Sequence, residues 1–153
     1  MVLAGQMAAG VRWIEEAIRR FSAWGNETAP AFGHLILGEM YLQMILREQP
    51  VPTDILLRNL GFALRTLPVA GRKARRHLEE AIRMARAAAI PAVLARSLLD
   101  LGRLCQTKRR WREARTHLDE ARQIAETLES PRLTARIRAA IESLNRVTAG
   151  VAR

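Results

Sequence analysis

One helical string occurs three times in this chain of 153 residues, and that repetition limits what the chain can fold into. The copies are RWIEEAIRRF at 12–21, RHLEEAIRMA at 76–85 and THLDEARQIA at 116–125. The second and third copies are 40 residues apart, which we take as the period of the repeat. The first copy lies 64 residues before the second, a distance of one period plus 24 residues. A fixed period of this length is typical of stacked helical hairpins. We therefore expect an array of repeated helix pairs.

Segments between the copies follow the same offsets, so each repeat spans two helices. GEMY at 38–41 corresponds to GRLC at 102–105, and Ala95 and Ala135 open equivalent helices. Prolines fall at several predicted helix starts, where a missing N–H is tolerated. The pattern predicts an all-α chain of about seven helices and no strand. They lie near 4–24, 30–47, 54–67, 72–89, 92–107, 110–128 and 132–147.

The 24 additional residues lie around Pro50 to Gly71 and predict an inserted helix over 54–67. Its apolar residues surround much of its circumference, which is more than a helix packed on one side requires. We expect this helix to lie between two surfaces. The residues are Ile55, Leu56, Leu57, Leu60, Phe62, Leu64 and Leu67.

Seven positions of the last full repeat follow a fixed spacing, Leu98-x2-Leu101-Gly102-x2-Cys105 and then Ala114-x3-Leu118-x2-Ala121. Glycine and alanine stand where two antiparallel helices approach closely, and leucines fill the remaining gap. This spacing resembles the tetratricopeptide repeat. The resemblance implies one domain over 1–153, a right-handed superhelical solenoid of antiparallel helix pairs. In it, 132–147 would be a polar capping helix.

A narrower resemblance is carried by LILGEMYLQMIL at 35–46, by the segment 54–104 and by the repeat that follows. These stretches are similar to the C-terminal repeat region of large bacterial proteins that join a class III adenylate/guanylate cyclase domain to an ATPase module. The resemblance implies a regulatory part of a larger signalling protein. No cyclase or ATPase motif occurs in this chain.

We call the first helix of each predicted pair first-type and the second helix, which carries the repeated string, second-type. The first predicted helix is second-type and has no first-type helix before it. An apolar flank near Val11, Ile14 and Ile18 is therefore expected to lack a neighbour, whereas the C-terminal end is expected to be finished by its polar helix. The unaccounted apolar faces predict a homodimer through this N-terminal helix or through the inserted helix.

No sequence motif of a catalytic site is present, so we expect no enzyme activity and no cofactor. His34, His77 and His117 invite a metal or general-base interpretation, but Trp13 holds the position of His77 in the first copy, which favours structural roles. Cys105 takes the place of Tyr41 and is expected to be a buried filler. A lone cysteine and the absence of a signal peptide or membrane span fit the cytoplasm.

The positive charge allows two kinds of partner. With 25 Lys+Arg against 15 Asp+Glu, the formal net charge is +10. The basic stretches RKARR at 72–76 and KRRWREAR at 108–115, the second with Trp111 among arginines, are compatible with nucleic acid. Both fall at turns, where charged residues are commonly only solvated. Nucleic-acid binding is therefore the alternative to protein binding.

The resemblance places a concave groove on the first-type helices, and this groove is the predicted binding site for a protein or an acidic peptide. Arg96 and Arg103 are two turns apart on one helix, and Arg136 stands one repeat after Arg96, so guanidinium groups would stack to bind carboxylates. The inserted helix could instead fill the groove. The predicted lining is Phe32, Leu35, Glu39, Leu42, Gln43, Arg96, Leu99, Arg103, Gln106, Arg136, Ala139, Ser143 and Arg146.

Overall fold

The structure, a computed structural model, describes residues 7–46 and 59–151. These residues form an all-helical chain with no strand among them. None of the helices is both long enough and apolar enough to cross a bilayer in the described ranges. The helices are α1 (Met7–Ala23), α2 (Thr28–Leu46), α3 (Leu60–Ala87), α4 (Pro91–Thr107), α5 (Trp111–Thr127) and α6 (Pro131–Val151).

The described residues contain six helices, and the prediction of seven is wrong at the insertion. The predicted helices over 54–67 and 72–89 are joined in α3, which continues through Pro68. A proline inside a helix removes one backbone hydrogen bond, that to the carbonyl of the residue four before it. Pro68 and Leu64 are both exposed, so water can bind the Leu64 carbonyl. Residues 54–58 of the predicted helix lie outside the described residues.

The first turns of α3 do not lie between two surfaces, which corrects the second expectation for the insertion. Leu60, Leu64 and Leu67 are 44%, 64% and 39% exposed. Phe62 packs against the core from the same segment. The wide distribution of apolar residues thus leaves one side of α3 in solvent, while Ile55, Leu56 and Leu57 are not described.

The helices pack in chain order, and a second set of contacts joins alternate helices. Each helix contacts the next, and α2 also contacts α4, as α4 does α6. The described turns between consecutive helices are short, which makes the helices on either side of them antiparallel. As a result α2, α4 and α6 form one adjacent row. One continuous core of leucine, isoleucine and alanine side chains runs through all six helices.

Two glycine–leucine contacts occupy the same position in two successive hairpins. A Cβ atom on Gly38 would lie 2.7 Å from side-chain atoms of Leu78, and one on Gly102 would lie 2.8 Å from Leu118. Real Cβ atoms do not approach this closely, so only glycine fits at either site. The hairpins α2/α3 and α4/α5 therefore share the packing that the repeat spacing predicts.

Each described turn between helices contains one residue in the left-handed backbone conformation. Ala89, Arg109 and Glu129 have φ of 51°, 56° and 48°, and Gly25 has φ of 70°. In three of the turns the next residue donates its N–H to the carbonyl five positions earlier, for example Ile90 to Ala85 at 2.8 Å. This is the helix-ending motif in which glycine is favoured, because an L side chain is strained at positive φ.

Glycine at a left-handed turn position should stabilise the protein. We expect Ala89→Gly to raise the free energy of unfolding by about 0.5–1 kcal/mol, because it relieves the strained φ. The matched control is Ala88→Gly. Residue 88 has φ of −89°, so glycine relieves no strain there and only increases the conformational entropy of the unfolded chain. It should lower stability. Urea denaturation of both variants is the measurement, and loss of stability in Ala89→Gly would contradict the analysis.

Candidate functional site

A hollow of about 600 Å³ lies between α2, α4 and α6, on the row of alternate helices. We call it the α2–α4–α6 groove. A smaller hollow of about 350 Å³ adjoins it and is lined by Arg96 and Arg132; Arg136 lines both. The groove is lined by Gln43, Leu46, Leu99, Arg103, Gln106, Thr107, Arg136, Ala139, Ala140 and Ser143.

The lining of the groove follows from helical spacing. Leu99, Arg103 and Gln106 recur every three or four residues along α4 and so share one face. Gln106 donates from Nε2 to the carbonyl of Ala140 at 2.9 Å, which ties α4 to α6 at the groove floor. Ala139 and Ser143 are small, and they leave room where longer side chains would fill the space.

The structure brings together part of the predicted groove. Leu99, Arg103, Gln106 and Arg136 line it, together with Gln43, Ala139 and Ser143. Glu39 and Arg96 lie beside it as a bonded pair. Arg146 is exposed but does not line it.

Three predicted groove residues lie elsewhere. Leu35 and Leu42 are 1% and 0% exposed, because they point into the core, and a ligand could not reach them. Phe32 lines a different, apolar hollow between α1 and α2.

The inserted segment does not fill the part of the groove that the structure describes. No residue of 59–71 is among the side chains that line it. The first turns of α3 thus leave the groove open, and residues 47–58 are not described.

A cluster of charged side chains lies beneath the groove. Arg96 on α4 donates to Glu39 on α2 at 2.6 Å. The Asp100 side chain is 1% exposed, and its Oδ1 lies 3.7 Å from Arg103 and 3.9 Å from Arg136. Both distances exceed a hydrogen bond. Asp100 is therefore a buried acid held loosely by two cations.

Asp100 is a carboxyl group that is partly protonated near neutral pH. Ionised, its two oxygens have no hydrogen-bond donor among the described residues. Burial raises the pKa of Asp100 to about 7, and the negative charge of Glu39 adds to the rise, while Arg136 and Arg103 oppose it. When protonated, Asp100 can donate its O–H to Glu39. Two carboxyl groups sharing one proton satisfy each other in this way.

Sequence reasoning missed Asp100, although a signal was present. It stands four residues after Arg96 and three before Arg103, inside the apolar run SLLDLG at 97–102. A lone acid between leucines on a core helix is rarely buried without a partner. The arginine spacing alone does not indicate that an acid faces those arginines.

Protonation of Asp100 decides how much positive charge the groove presents. Glu39 is paired with Arg96, so a neutral Asp100 leaves Arg136 without an ion pair to an ionised acid among the described residues. The side chain of Arg136 is 42% exposed and lines the groove. This arrangement can bind an anion. The excess of cations over ionised acids supplies the attraction.

The histidines have structural contacts. His34 and His77 are joined through their Nδ1 atoms at 2.9 Å, and the Tyr41 ring stacks on His77. Burial lowers the pKa of His77 to about 4, with His34 contributing, so the pair is neutral near pH 7. No group of three potential metal ligands occurs in the described part of the chain. These contacts join α2 to α3 within the hairpin that the two helices form.

Cys105 is buried, as the repeat position predicts. Burial, with the neighbouring Glu113 carboxylate, raises the pKa of its thiol to about 11. The thiolate that a nucleophile requires is therefore scarce at neutral pH.

Comparison of this chain with protein-family models, with curated proteins and with solved structures finds no match. The assignment of the groove thus rests on the packing and charges of this chain alone.

Replacing Asp100 tests its protonation. The folded pKa of Asp100 lies above the ordinary value, so the folded state keeps a proton that the unfolded chain releases, and the contribution of Asp100 to stability falls between about pH 4 and pH 7. The lowered pKa of His77 acts in the opposite direction below about pH 6.5 and does not depend on residue 100. Asn cannot ionise, so Asp100→Asn should remove the fall that Asp100 contributes and raise the free energy of unfolding at about pH 8 by on the order of 2 kcal/mol. Denaturant unfolding across pH is the measurement.

The matched control is Asp119→Asn, on α5 outside the groove, which should keep the profile of the unaltered protein. If Asp100→Asn lowers stability equally at every pH, Asp100 is an ionised structural partner of the arginines and the protonation argument is wrong.

Proposed function

We propose that this protein is an interaction module that binds an acidic peptide or the acidic segment of a partner protein in the α2–α4–α6 groove. Self-association is a second part of the proposal. The observation that carries the first part is the placement of Arg136 and Arg103 on the groove wall beside a buried acid whose pKa is raised to about 7. No catalytic role is included in the proposal.

The shape of the groove supports an extended ligand. Arg136 lines both hollows, which places them next to each other. A peptide that crosses both would pass Arg136 with one carboxylate and could place further acidic residues near Arg103 and Arg132. Leu46, which is partly exposed, adds apolar surface for a neighbouring side chain.

The repeat architecture belongs to the same proposal. The glycine–leucine contacts shared by successive hairpins support tetratricopeptide-like repeats, a class built to hold peptides on alternate helices. We propose that the chain serves in signalling as a regulatory repeat region of a larger cyclase/ATPase-like protein in the cytoplasm. The sequence resemblance of 35–46 and 54–104 is what supports this part.

Peptide binding should depend on Arg136. A fluorescent glutamate-rich peptide should bind the unaltered protein, and Arg136→Gln should weaken binding about tenfold or more, because a charge-assisted hydrogen bond contributes about 1.5–3 kcal/mol. Arg138→Gln removes the same charge from the same helix but outside the groove, and it should change affinity little. Fluorescence anisotropy is the measurement. Equal loss in both variants would mean that net charge, and not the groove, attracts the peptide.

Affinity should also depend on pH. Ionised Asp100 competes for Arg136 and repels an anion, so binding should be several-fold tighter at about pH 6 than at about pH 8. Asp100→Asn should bind with nearly constant affinity over that range, at the level the unaltered protein reaches at low pH. A pH dependence that persists unchanged in this variant would assign the effect to another titrating group of the protein and would contradict the role of Asp100.

A second candidate function, nucleic-acid binding, is favoured by one observation. The two basic stretches lie far apart in sequence but meet in space, since a Cβ atom on Gly71 would lie 3.2 Å from Nζ of Lys108. Glu113 and Glu79 interrupt the positive charge by pairing with Arg75. The exposed cations of this surface are Arg72, Lys73, Arg76, Lys108, Arg109, Arg110 and Arg112.

The two candidates separate by salt and by mutation. Oligonucleotide binding releases counterions, so affinity for a single-stranded DNA probe should fall steeply with salt and should require the basic surface. The double variant Arg72→Gln, Arg112→Gln tests that surface and should leave peptide binding intact if the groove is the site. Tight oligonucleotide binding that is lost in the double variant but kept in Arg136→Gln would favour the second candidate.

A further inference from the structure

Helix α1 has two apolar faces, and only one of them is used inside the described chain. Val11 and Ile14 are 6% and 8% exposed, and Ile18 packs so closely on α2 that a Cβ atom on Gly33 would lie 2.7 Å from it. The expectation that this flank lacks a neighbour is wrong, because α2 covers it. The uncovered face is the adjacent one, and it carries larger side chains.

The second face carries Trp13, Ala17 and Phe21, four residues apart, with Trp24 in the turn that follows. Trp13 is 74% and Trp24 is 75% exposed. The rings of Phe21 and Trp24 meet edge to face at 5.6 Å. Two tryptophans left in solvent on one face are unusual for a monomer and typical of contact surfaces.

Helix α2 extends this surface. An apolar hollow of about 460 Å³ lies between α1 and α2, with Trp13 and Phe21 on one wall and Phe32 and Ile36 on the other. Phe32 is 42% and Ile36 is 46% exposed. We call the surface formed by Trp13, Ala17, Phe21, Trp24, Phe32 and Ile36 the aromatic face.

The size of the aromatic face fits a protein interface. Its exposed side chains present roughly 500–600 Å² if each aromatic residue has about 150–250 Å² to bury. A specific interface covers about 800 Å² on each partner, of which polar rim residues supply the remainder. The face is therefore large enough to form the centre of a stable dimer.

Charge also permits two copies to meet here. The whole chain carries +10 and would repel a second copy over most of its surface. Helix α1 is nearly balanced, with three arginines against two glutamates. Glu16 accepts hydrogen bonds from Arg19 at 3.2 Å and from Arg20 at 2.8 Å, so the charges nearest the face are already paired.

We infer that the aromatic face binds a second copy of this chain, in a two-fold dimer whose α1 helices cross antiparallel at Ala17. Ala17 is the midpoint between Trp13 and Phe21, so a two-fold axis at Ala17 places each Trp13 against the partner's Phe21. Alanine at the crossing lets the helix backbones approach closely. In a two-fold interface the same patch serves both copies, which this spacing satisfies. The inference deepens the self-association part of the proposed function and is independent of the groove.

Disulfide trapping tests the crossing point. A residue on the two-fold axis faces its own copy, so Ala17→Cys should oxidise to a covalent dimer of twice the 17.2 kDa chain mass. Ser22→Cys is the matched control, because it lies on the same helix on the opposite face and should stay monomeric on a non-reducing gel. Cys105 is buried in both variants. Equal trapping of the two variants, or none in Ala17→Cys, would overturn the inferred crossing.

Sedimentation equilibrium tests the face itself. The unaltered protein should be dimeric at about 100 μM. Trp13→Glu should be monomeric with an unchanged melting temperature, because that side chain is largely in solvent. Leu64→Glu places the same charge on an exposed apolar residue of α3 and should remain dimeric. A monomeric unaltered protein would overturn the inference, as would a dimer that survives Trp13→Glu. Either result leaves the groove proposal standing, since peptide binding is measured separately.

Discussion

The close contact between a glycine on a first-type helix and a leucine on the helix that follows is the constraint on which the rest of this structure depends. It occurs at Gly38 with Leu78 and again at Gly102 with Leu118, with no room for a Cβ atom at either glycine. Because the hairpins α2/α3 and α4/α5 close in the same way, their first helices can lie side by side. The row of α2, α4 and α6 follows from this packing, and the groove lies on that row.

Much of this packing is predictable from the sequence, because the residues that make it recur at fixed offsets. The offset of 64 residues relates the two glycines, and the predicted ranges of α2, α4 and α5 agree with the structure to within two residues at each end, since small residues at fixed offsets leave few ways to pack. The insertion was not predictable in the same way. Prolines inside a helix usually kink or break it, so Pro68 and the flanking prolines predict a break, yet α3 continues through Pro68. Nor did periodicity distinguish Leu60, Leu64 and Leu67 in solvent from leucines between two surfaces.

The candidate site shows the limit of sequence reasoning more clearly. Spacing along α4 was enough to place Arg96, Leu99 and Arg103 on one face, and Arg136 beside them. It could not give the partner of each charge, because Glu39 reaches Arg96 only through the packing of α2 on α4. It also could not show that Asp100 is enclosed beneath the arginines. The sequence does not distinguish a row of stacked guanidinium groups from a mixed cluster in which two acids share one proton. The two arrangements would bind different ligands.

The central claim is that the α2–α4–α6 groove, with its positive charge governed by Asp100, is the surface that receives an acidic ligand. The most direct measurement is a map of backbone amide shifts by NMR while a glutamate-rich peptide is added at about pH 6. The account predicts that the largest changes cluster at Leu99, Arg103, Ala139 and Ser143. Changes centred on 72–76 and 108–112, with the groove unaffected, would contradict it.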